Sequence, residues 1–519
     1  MFGLIAFSGI FRAGFLWDDH EMIEANPRVQ SVSIDHLQHF FTHDVFDGKG
    51  DPYYRPLQSV LNMADYRVWG ARPWGFHFTN LFLHIATACL LFVASRRAGV
   101  RFDTALTAGI LFVVHPIGVE QLLIIAGRAE LMAALFTLAA VIATQQGTRR
   151  SDLAGGLFCL LAAFSKESGV VAPLMAAAVV PRLRSRSGLL FAATALAGWA
   201  VYFPVRALAV SGDIPLAMNQ IVPFFVQELP SVLVEYGRIL LVPVDLHSHR
   251  RMVFSSTQMT LAGLAVLALI IFLLVKAWPV LISFNRRGPE VSLNESVSPL
   301  LKAWPLAAWA GLSLGTKVPL LATNALMLDH WAYVPAMALC VGVSVLFEGP
   351  SEAFEAGGKK ARLKWVPVFL GLFWMGMSQW NTAVRNTDEK MYLWALRHPT
   401  SSVVRYNLAL LYHERGDDAK ALPLLKTSRA MNPGRPQTDL LLASVMFKLG
   451  QYEEALAVLA PWTEGRASAR PPILSTMFRT QADIQYAKSD RTGARRSLEQ
   501  YLLLEPDDTQ AQANLNLLR

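Results

Sequence analysis

Long apolar runs broken by short polar stretches extend from the N-terminus to about residue 381, and a polar pattern of helical period follows to residue 519. The apolar segments fall at 2–16, 75–95, 104–120, 129–144, 153–165, 169–181, 187–206, 258–279, 303–323, 331–347 and 365–381. A bilayer-crossing helix needs roughly 20 apolar residues, so several of these are long enough alone and the shorter ones read as tilted or paired segments. The pattern predicts an all-α chain: a polytopic membrane helix bundle of about 11 spans over 1–382, a connector at 383–401, and an α-solenoid over 402–519. The run from Phe2 to Leu16 passes straight into Trp17-Asp18-Asp19 without a small-residue cleavage pattern, so a short first span is expected there, clipped by a late Met1, and not a cleaved leader. At 226–244, Glu228, Glu235 and Arg238 share one helical face between Pro230 and Pro243, which predicts an amphipathic or re-entrant helix.

Composition supports the membrane reading, with 53% hydrophobic and only 17% charged residues. The 47 basic against 39 acidic residues give +8, an excess that belongs in cytoplasmic loops and points away from a nucleic-acid partner. Arg96-Arg97, Arg149-Arg150, Arg182 to Arg186, Arg286-Arg287 and Lys359 to Lys364 then share the inner face. This puts the N-terminus inside and the C-terminal part outside, with 153–181 as a hairpin carrying Lys166-Glu167 at its outer tip. Cys89, Cys159 and Cys340 lie in apolar segments without CxxC spacing, so neither a disulfide framework nor a zinc site is expected.

With that topology, the ionisable residues that least suit lipid collect on the outer side: Asp18, Asp19, Arg55, His115, Glu120, Arg128, Glu130, Lys166, Glu167, Asp329 and His330. Charges at membrane helix ends pair with one another or line a site. This set supplies carboxylates able to activate a hydroxyl and cations able to hold a phosphate. The loop 17–73, with Asn26-Pro27 as a turn and helical stretches near Ile34 to Phe41 and Leu57 to Trp69, is long enough to form a lid. His77, Asn80 and His84 lie on one helical face, which predicts a polar stripe serving either helix–helix hydrogen bonds or a ligand.

A 34-residue period relates Gly416 to Gly450, Ala421 to Ala455 and Leu408-Ala409 to Leu442-Ala443, the spacing of tetratricopeptide repeats. Repeats are expected at 402–435, 436–469 and, after an insert holding Pro471-Pro472, 475–508, with 509–519 as a capping helix. The stretch from Arg385 to Pro399, with Trp394 and Leu396 on an apolar face, reads as a half-repeat connector.

Trp17-Asp18-Asp19 with Asn26-Pro27, Tyr54-Arg55-Pro56-Leu57, Gly75-Phe76-His77 through His84, His115-Pro116 with Glu120, Gly127-Arg128-Ala129-Glu130, Ser165-Lys166-Glu167 and Asp329-His330-Trp331-Ala332-Tyr333-Val334-Pro335 resemble, in order and spacing, the transmembrane and tetratricopeptide-repeat O-mannosyltransferases. That family is of the GT-C class. The resemblance implies transfer of a sugar, mannose in the family, from a polyprenyl or dolichyl phosphate to a protein Ser or Thr hydroxyl. It implies Asp18 as the catalytic carboxylate with Asp19 as its partner. Arg55, Arg128 and Lys166 become candidates for the donor phosphate, with His77, His115, Glu120, Glu130, Glu167, Asp329 and His330 lining the site and no metal ligand set. The implied partners are a membrane lipid donor and a protein acceptor held by the repeats, and the implied place is a bacterial inner membrane, or the endoplasmic reticulum membrane in a eukaryote. Asp329-His330-Trp331 departs from the Glu-Arg-Tyr of many family members, and three repeats stand where a long array is usual. A non-catalytic scaffold that assembles an envelope complex is the alternative of another class.

Overall fold

The computed structural model describes residues 1–47, 53–210, 229–251, 326–347 and 365–519, with positions 261, 311 and 313. The expected spans at 258–279 and 303–323, and the basic clusters at 286–287 and 359–364, lie outside the described residues. The chain divides into two compact units, Met1–Asp388 and Glu389–Arg519. Both are built of helices, and the only strands among the described residues are the two-residue pair Arg250–Arg251 and Leu326–Met327, antiparallel to each other.

In the first unit, four described helices are long and apolar enough to cross a bilayer: Pro73–Arg97, Ile125–Thr144, Arg186–Ala209 and Asp329–Leu346. A fifth span results if Phe102–Val114 and Pro116–Leu123 are taken together, although they meet at 46°. The bend falls at His115-Pro116, where proline removes a backbone donor and the preceding residue leaves the helical region. The expected single helix over 104–120 is therefore a broken one. The apolar run 2–16 is broken as well, into a five-residue α-helix Phe2–Ala6 and a 3-10 turn Ser8–Arg12, so it does not form one continuous span. Arg149–Ser165 begins on a reciprocal cap, in which the Thr148 hydroxyl accepts from Ser151 N–H at 3.1 Å and the Ser151 hydroxyl accepts from Thr148 N–H at 3.0 Å. The chain turns at Lys166 and returns through Glu167–Val171 and Ala172–Val179.

The loop after the first apolar run folds into Pro27–Gln30, Ile34–Thr42 and Pro56–Trp69. Asn26 caps the first of these by accepting from Arg28 N–H at 3.1 Å, with Pro27 at the first helical position, where its missing donor costs nothing. Phe15, Met22, Ile23, Val29, Phe40, Met63 and Phe76 form a separate apolar cluster under this loop.

The second unit is a stack of helix pairs, Ser402–Glu414 with Asp418–Met431, Pro436–Lys448 with Tyr452–Thr463, and Pro471–Ala487 with Arg491–Leu504, followed by Thr509–Leu518. Ala409, Ala421, Ala443, Ala455 and Ala494 are buried where helices meet, since only a small side chain lets two helices approach closely. Gly416 and Gly450 turn between paired helices at φ +80° and +76°. The third repeat places Ser489 in that turn at φ +66°, a left-handed conformation that serine adopts only under strain. Asp388–Ala395 precedes the stack and buries Met391, Tyr392 and Ala395, while Trp394 and Leu396, the residues expected on the apolar face, are only half-buried.

Candidate functional site

Asp19, the second of the acidic pair, is buried and accepts three backbone N–H bonds: from Leu16 at 3.1 Å, Ile125 at 2.9 Å and Ala126 at 2.8 Å. Burial pushes its pKa up to about 7, against the opposing pull of these donors. Its geometry is that of a clamp joining the start of the loop to the turn before Arg128. That turn is tight because Gly127 packs on Gln121, where an added Cβ would lie 2.5 Å from the Gln121 Cα. Asp18 is half-buried in the turn ahead of Asp19. Trp17 before it has φ +56° and stacks at 4.8 Å on His249, itself at φ +59°. Two bulky residues in the left-handed region, packed on each other beside an acidic pair, mark a backbone held out of its preferred state by its surroundings. The Trp17 N–H donates to Asp388 at 2.9 Å, and the other Asp388 oxygen lies 2.8 Å from His20 Nε2.

Arg128 has a different task from the phosphate contact expected of it. Its guanidinium is fully buried and pairs with Asp65 at 2.7 Å, donating also to Asn80 and Asn62 at 2.9 Å each and to the Phe76 carbonyl at 3.2 Å. An arginine so saturated orders three helices and has little left for a ligand. Lys166, expected at the outer tip of its hairpin and at the donor phosphate, stands at the turn and is buried in an ion pair with Glu130. Arg55 is the least committed of the three, though its guanidinium forms a fork with Glu167 at 3.1–3.2 Å and covers the Tyr53 ring at 4.3 Å.

The histidines are structural in their contacts. His77 bridges the carbonyls of Leu122 at 2.8 Å and Gly14 at 3.2 Å, and Asn80 donates to the Gln121 carbonyl at 2.9 Å. His84 meets the Tyr333 hydroxyl at 2.8 Å. His115 accepts from Ile117 N–H at 3.0 Å, filling a backbone bond that the break in its helix leaves open, and donates to the Leu240 carbonyl near the end of the helix Leu229–Leu241 at 2.9 Å.

Glu120, Asp329 and His330 come together. His330 Nδ1 lies 2.8 Å from Glu120 Oε1, and Gln121 donates to the His330 carbonyl at 2.8 Å. Asp329 accepts from Arg250 at 2.9 and 3.0 Å and from the His247 N–H at 2.9 Å. Arg250 reaches on to Glu235 at 3.1 Å and Asp245 at 3.3 Å, and Arg238 joins the same two carboxylates. Glu235 and Arg238 do share the face of the described helix Leu229–Leu241, whereas Glu228 lies outside the described residues. The segment Asp245-Leu246-His247-Ser248-His249-Arg250 and the residues Arg385 and Asp388 were missed by the sequence reading. Their only signal was a dense polar run immediately after an apolar helix. Among the described residues no group of three or more His, Cys, Asp or Glu is placed to hold a metal ion.

The fold and this polar centre define an all-α membrane protein with a tetratricopeptide-repeat solenoid. A tetratricopeptide repeat model matches residues 412–470. Similar curated proteins are a Caenorhabditis elegans protein O-mannosyl-transferase, 28% identical over 32% of this chain and 25% of its own, and the Drosophila melanogaster protein O-mannosyl-transferase Tmtc2, 31% identical over 34% and 20%. The Homo sapiens protein O-mannosyl-transferase TMTC4 is 27% identical over 29% of this chain and 23% of its own. The chain thus matches about a fifth to a quarter of the length of these relatives, which agree with the resemblance read from the motifs. No solved structure matches.

Proposed function

We propose that the chain is a membrane glycosyltransferase that moves a sugar, mannose in its relatives' reaction, from a polyprenyl or dolichyl phosphate to a Ser or Thr hydroxyl of a protein. The observation that carries the reading is the strained turn holding Asp18: its neighbours on both sides are fixed, Trp17 by His249 and Asp388, Asp19 by three backbone donors, and Asp18 between them is half-buried. In this reading the acceptor hydroxyl gives its proton to Asp18 as its oxygen bonds to the sugar C1. The C1–O bond to the phosphate breaks, and the lipid phosphate leaves with the bonding pair. Arg55, at the edge of its pair with Glu167, is the member of the original cation set best placed to meet that phosphate. The repeats bind acceptor or partner proteins, and the positive-inside pattern supports their lying on the non-cytoplasmic face of a bacterial inner membrane or, in a eukaryote, of the endoplasmic reticulum membrane.

A scaffold without activity draws support from one observation, that Arg55, Arg128 and Lys166 each already pair with a carboxylate. Asp18→Asn separates the two readings, because it keeps shape while removing the base. Transfer to a peptide acceptor should fall by about 100- to 10,000-fold with thermal stability unchanged. Near-normal turnover in the variant would remove Asp18 from the chemistry.

A further inference from the structure

The corner beside Glu120 contains buried polar atoms whose needs no described residue meets. Arg385 follows the Val366–Ala383 helix and is 2% exposed. Its Nε donates to the Asn381 carbonyl at 3.3 Å, but Nη2 is buried and has no hydrogen-bond partner among the described residues. The carboxylates within its electrostatic reach are Glu120 and Asp329. Asp329 is saturated by Arg250 and His247, whereas Glu120 uses Oε1 toward His330, and its Oε2 is buried without a donor among the described residues. Next to it, Gln121 donates through its amide nitrogen to the His330 carbonyl, and its Oε1 is buried without a donor among the described residues.

A buried guanidinium nitrogen and two buried acceptors left open each carry a desolvation cost, and an interior normally avoids all three. Together they specify a complement. Nη2 asks for an acceptor, best an anionic one, while Glu120 Oε2 and Gln121 Oε1 ask for hydroxyl donors. A bare phosphate satisfies the first and is repelled by Glu120. A neutral sugar satisfies the second and leaves the cation bare. A sugar esterified to phosphate satisfies both. The corner is also tied to the acidic turn, since Trp17 donates to Asp388, three residues past Arg385, and stacks on His249.

We infer that Arg385 holds the phosphate of the donor and that Glu120 and Gln121 receive its sugar hydroxyls, making this corner a subsite for the glycosyl phosphate end of a lipid. The inference rests on the donor reading proposed above and gives it a cation not committed to a carboxylate. The test is binding to the purified full chain of three probes with the same short prenyl tail: prenyl phosphate hexose, prenyl phosphate and the uncharged prenol. Arg385→Gln should weaken both phosphorylated probes by about 10- to 100-fold, with the prenol unaffected. Its melting temperature should hold or rise, because an unpaired buried charge has been removed, whereas a structural arginine would lower it. Arg385→Lys should restore part of the phosphate affinity. Glu120→Gln should weaken the hexose probe alone, by about 2- to 10-fold, and so keeps the subsite testable if Arg385→Gln does not fold. Arg97→Gln, remote from the corner, should change nothing. Wild-type affinity in a folded Arg385→Gln would overturn the subsite while leaving a phosphate-bearing donor to bind elsewhere. Failure of the folded wild type to bind either phosphorylated probe would overturn the donor reading together with it.

Discussion

The two units treat polar groups in opposite ways. The repeat unit keeps most of its charges at the surface, with Asp439 a buried exception paired to Arg429, and packs small residues where helices meet, so its contacts repeat with the sequence: Ala421 and Ala455 do the same work in successive pairs. The membrane unit buries arginine, lysine, aspartate and glutamate, and pairs several of them with partners far along the chain: Arg128 with Asp65, Lys166 with Glu130, Arg250 with Asp329. In the first unit a substitution acts through one specific partner. In the second it acts through a geometry shared by every repeat. The lesson is that a charged residue in the membrane unit cannot be assigned to a ligand until its internal partner is known.

The sharpest way to break this contrast is Arg128→Ala. Removing one side of a buried pair leaves Asp65, Asn62 and Asn80 without their donor, and should destabilise the membrane unit by about 3–5 kcal/mol, seen as poor yield and a lowered melting temperature. A folded Arg128→Ala with normal melting and lost phosphate affinity would return this arginine to the ligand site.

A smaller effect sharpens the other side. Ser489 occupies a turn that its two sister repeats give to glycine, and relieving a left-handed non-glycine should gain about 1 kcal/mol. Ser489→Gly should therefore raise the unfolding midpoint of the repeat unit and leave that of the membrane unit where it was. A fall would mean that the serine side chain contributes more than its backbone strain costs.

The smallest effect is local and depends on pH. His20 is held at a pKa of about 9, above its ordinary 6.5, chiefly by its hydrogen bond to Asp388 and then by Glu24. A raised histidine stabilises fully below the unfolded pKa and loses that contribution as pH rises through the folded one. Because the ring is 49% exposed, solvent screens the pair and the change should stay local. The protection factors of the amides at residues 17–24, that is their exchange relative to the intrinsic base-catalysed rate, should fall between pH 6.5 and 9, and His20→Gln should abolish that fall. Equal pH dependence in the variant would assign the change to another group.

Legibility follows the same division. The 34-residue period gave the repeats and their turn glycines because each packing position recurs, and the Pro73–Arg97 and Leu189–Ala209 helices were visible as unbroken apolar runs. Ser489 escaped notice because a left-handed serine leaves no compositional mark. The break at His115-Pro116 was hidden inside an apolar run, and only the backbone bonds taken by the His115 ring reveal it. The motif residues around the acidic pair were legible as chemistry but not as roles, since sequence spacing does not say that Lys166 finds Glu130. Arg250 and Arg385 had no motif at all. Arg250 depends on its pair with Asp329, which no local pattern encodes, and the burial of Arg385 is equally unmarked in the sequence.

The bonds from Asp388 back to Trp17 and His20 close over 371 and 368 residues. The acidic turn is among the first parts of the chain to be made, and the group that fixes it is made after every membrane segment. At about 5–20 residues per second, an interval of roughly 20–75 s separates the two during synthesis. Throughout that time Asp18 lies beside an unfinished corner, exposed to nascent chains and lipids with neither Asp388 nor Arg385 yet made. The bonds that fix Trp17 and His20 therefore cannot form before the membrane unit is complete, and a chain truncated ahead of residue 385 would keep the clamp on Asp19 but carry the rest of the motif without them.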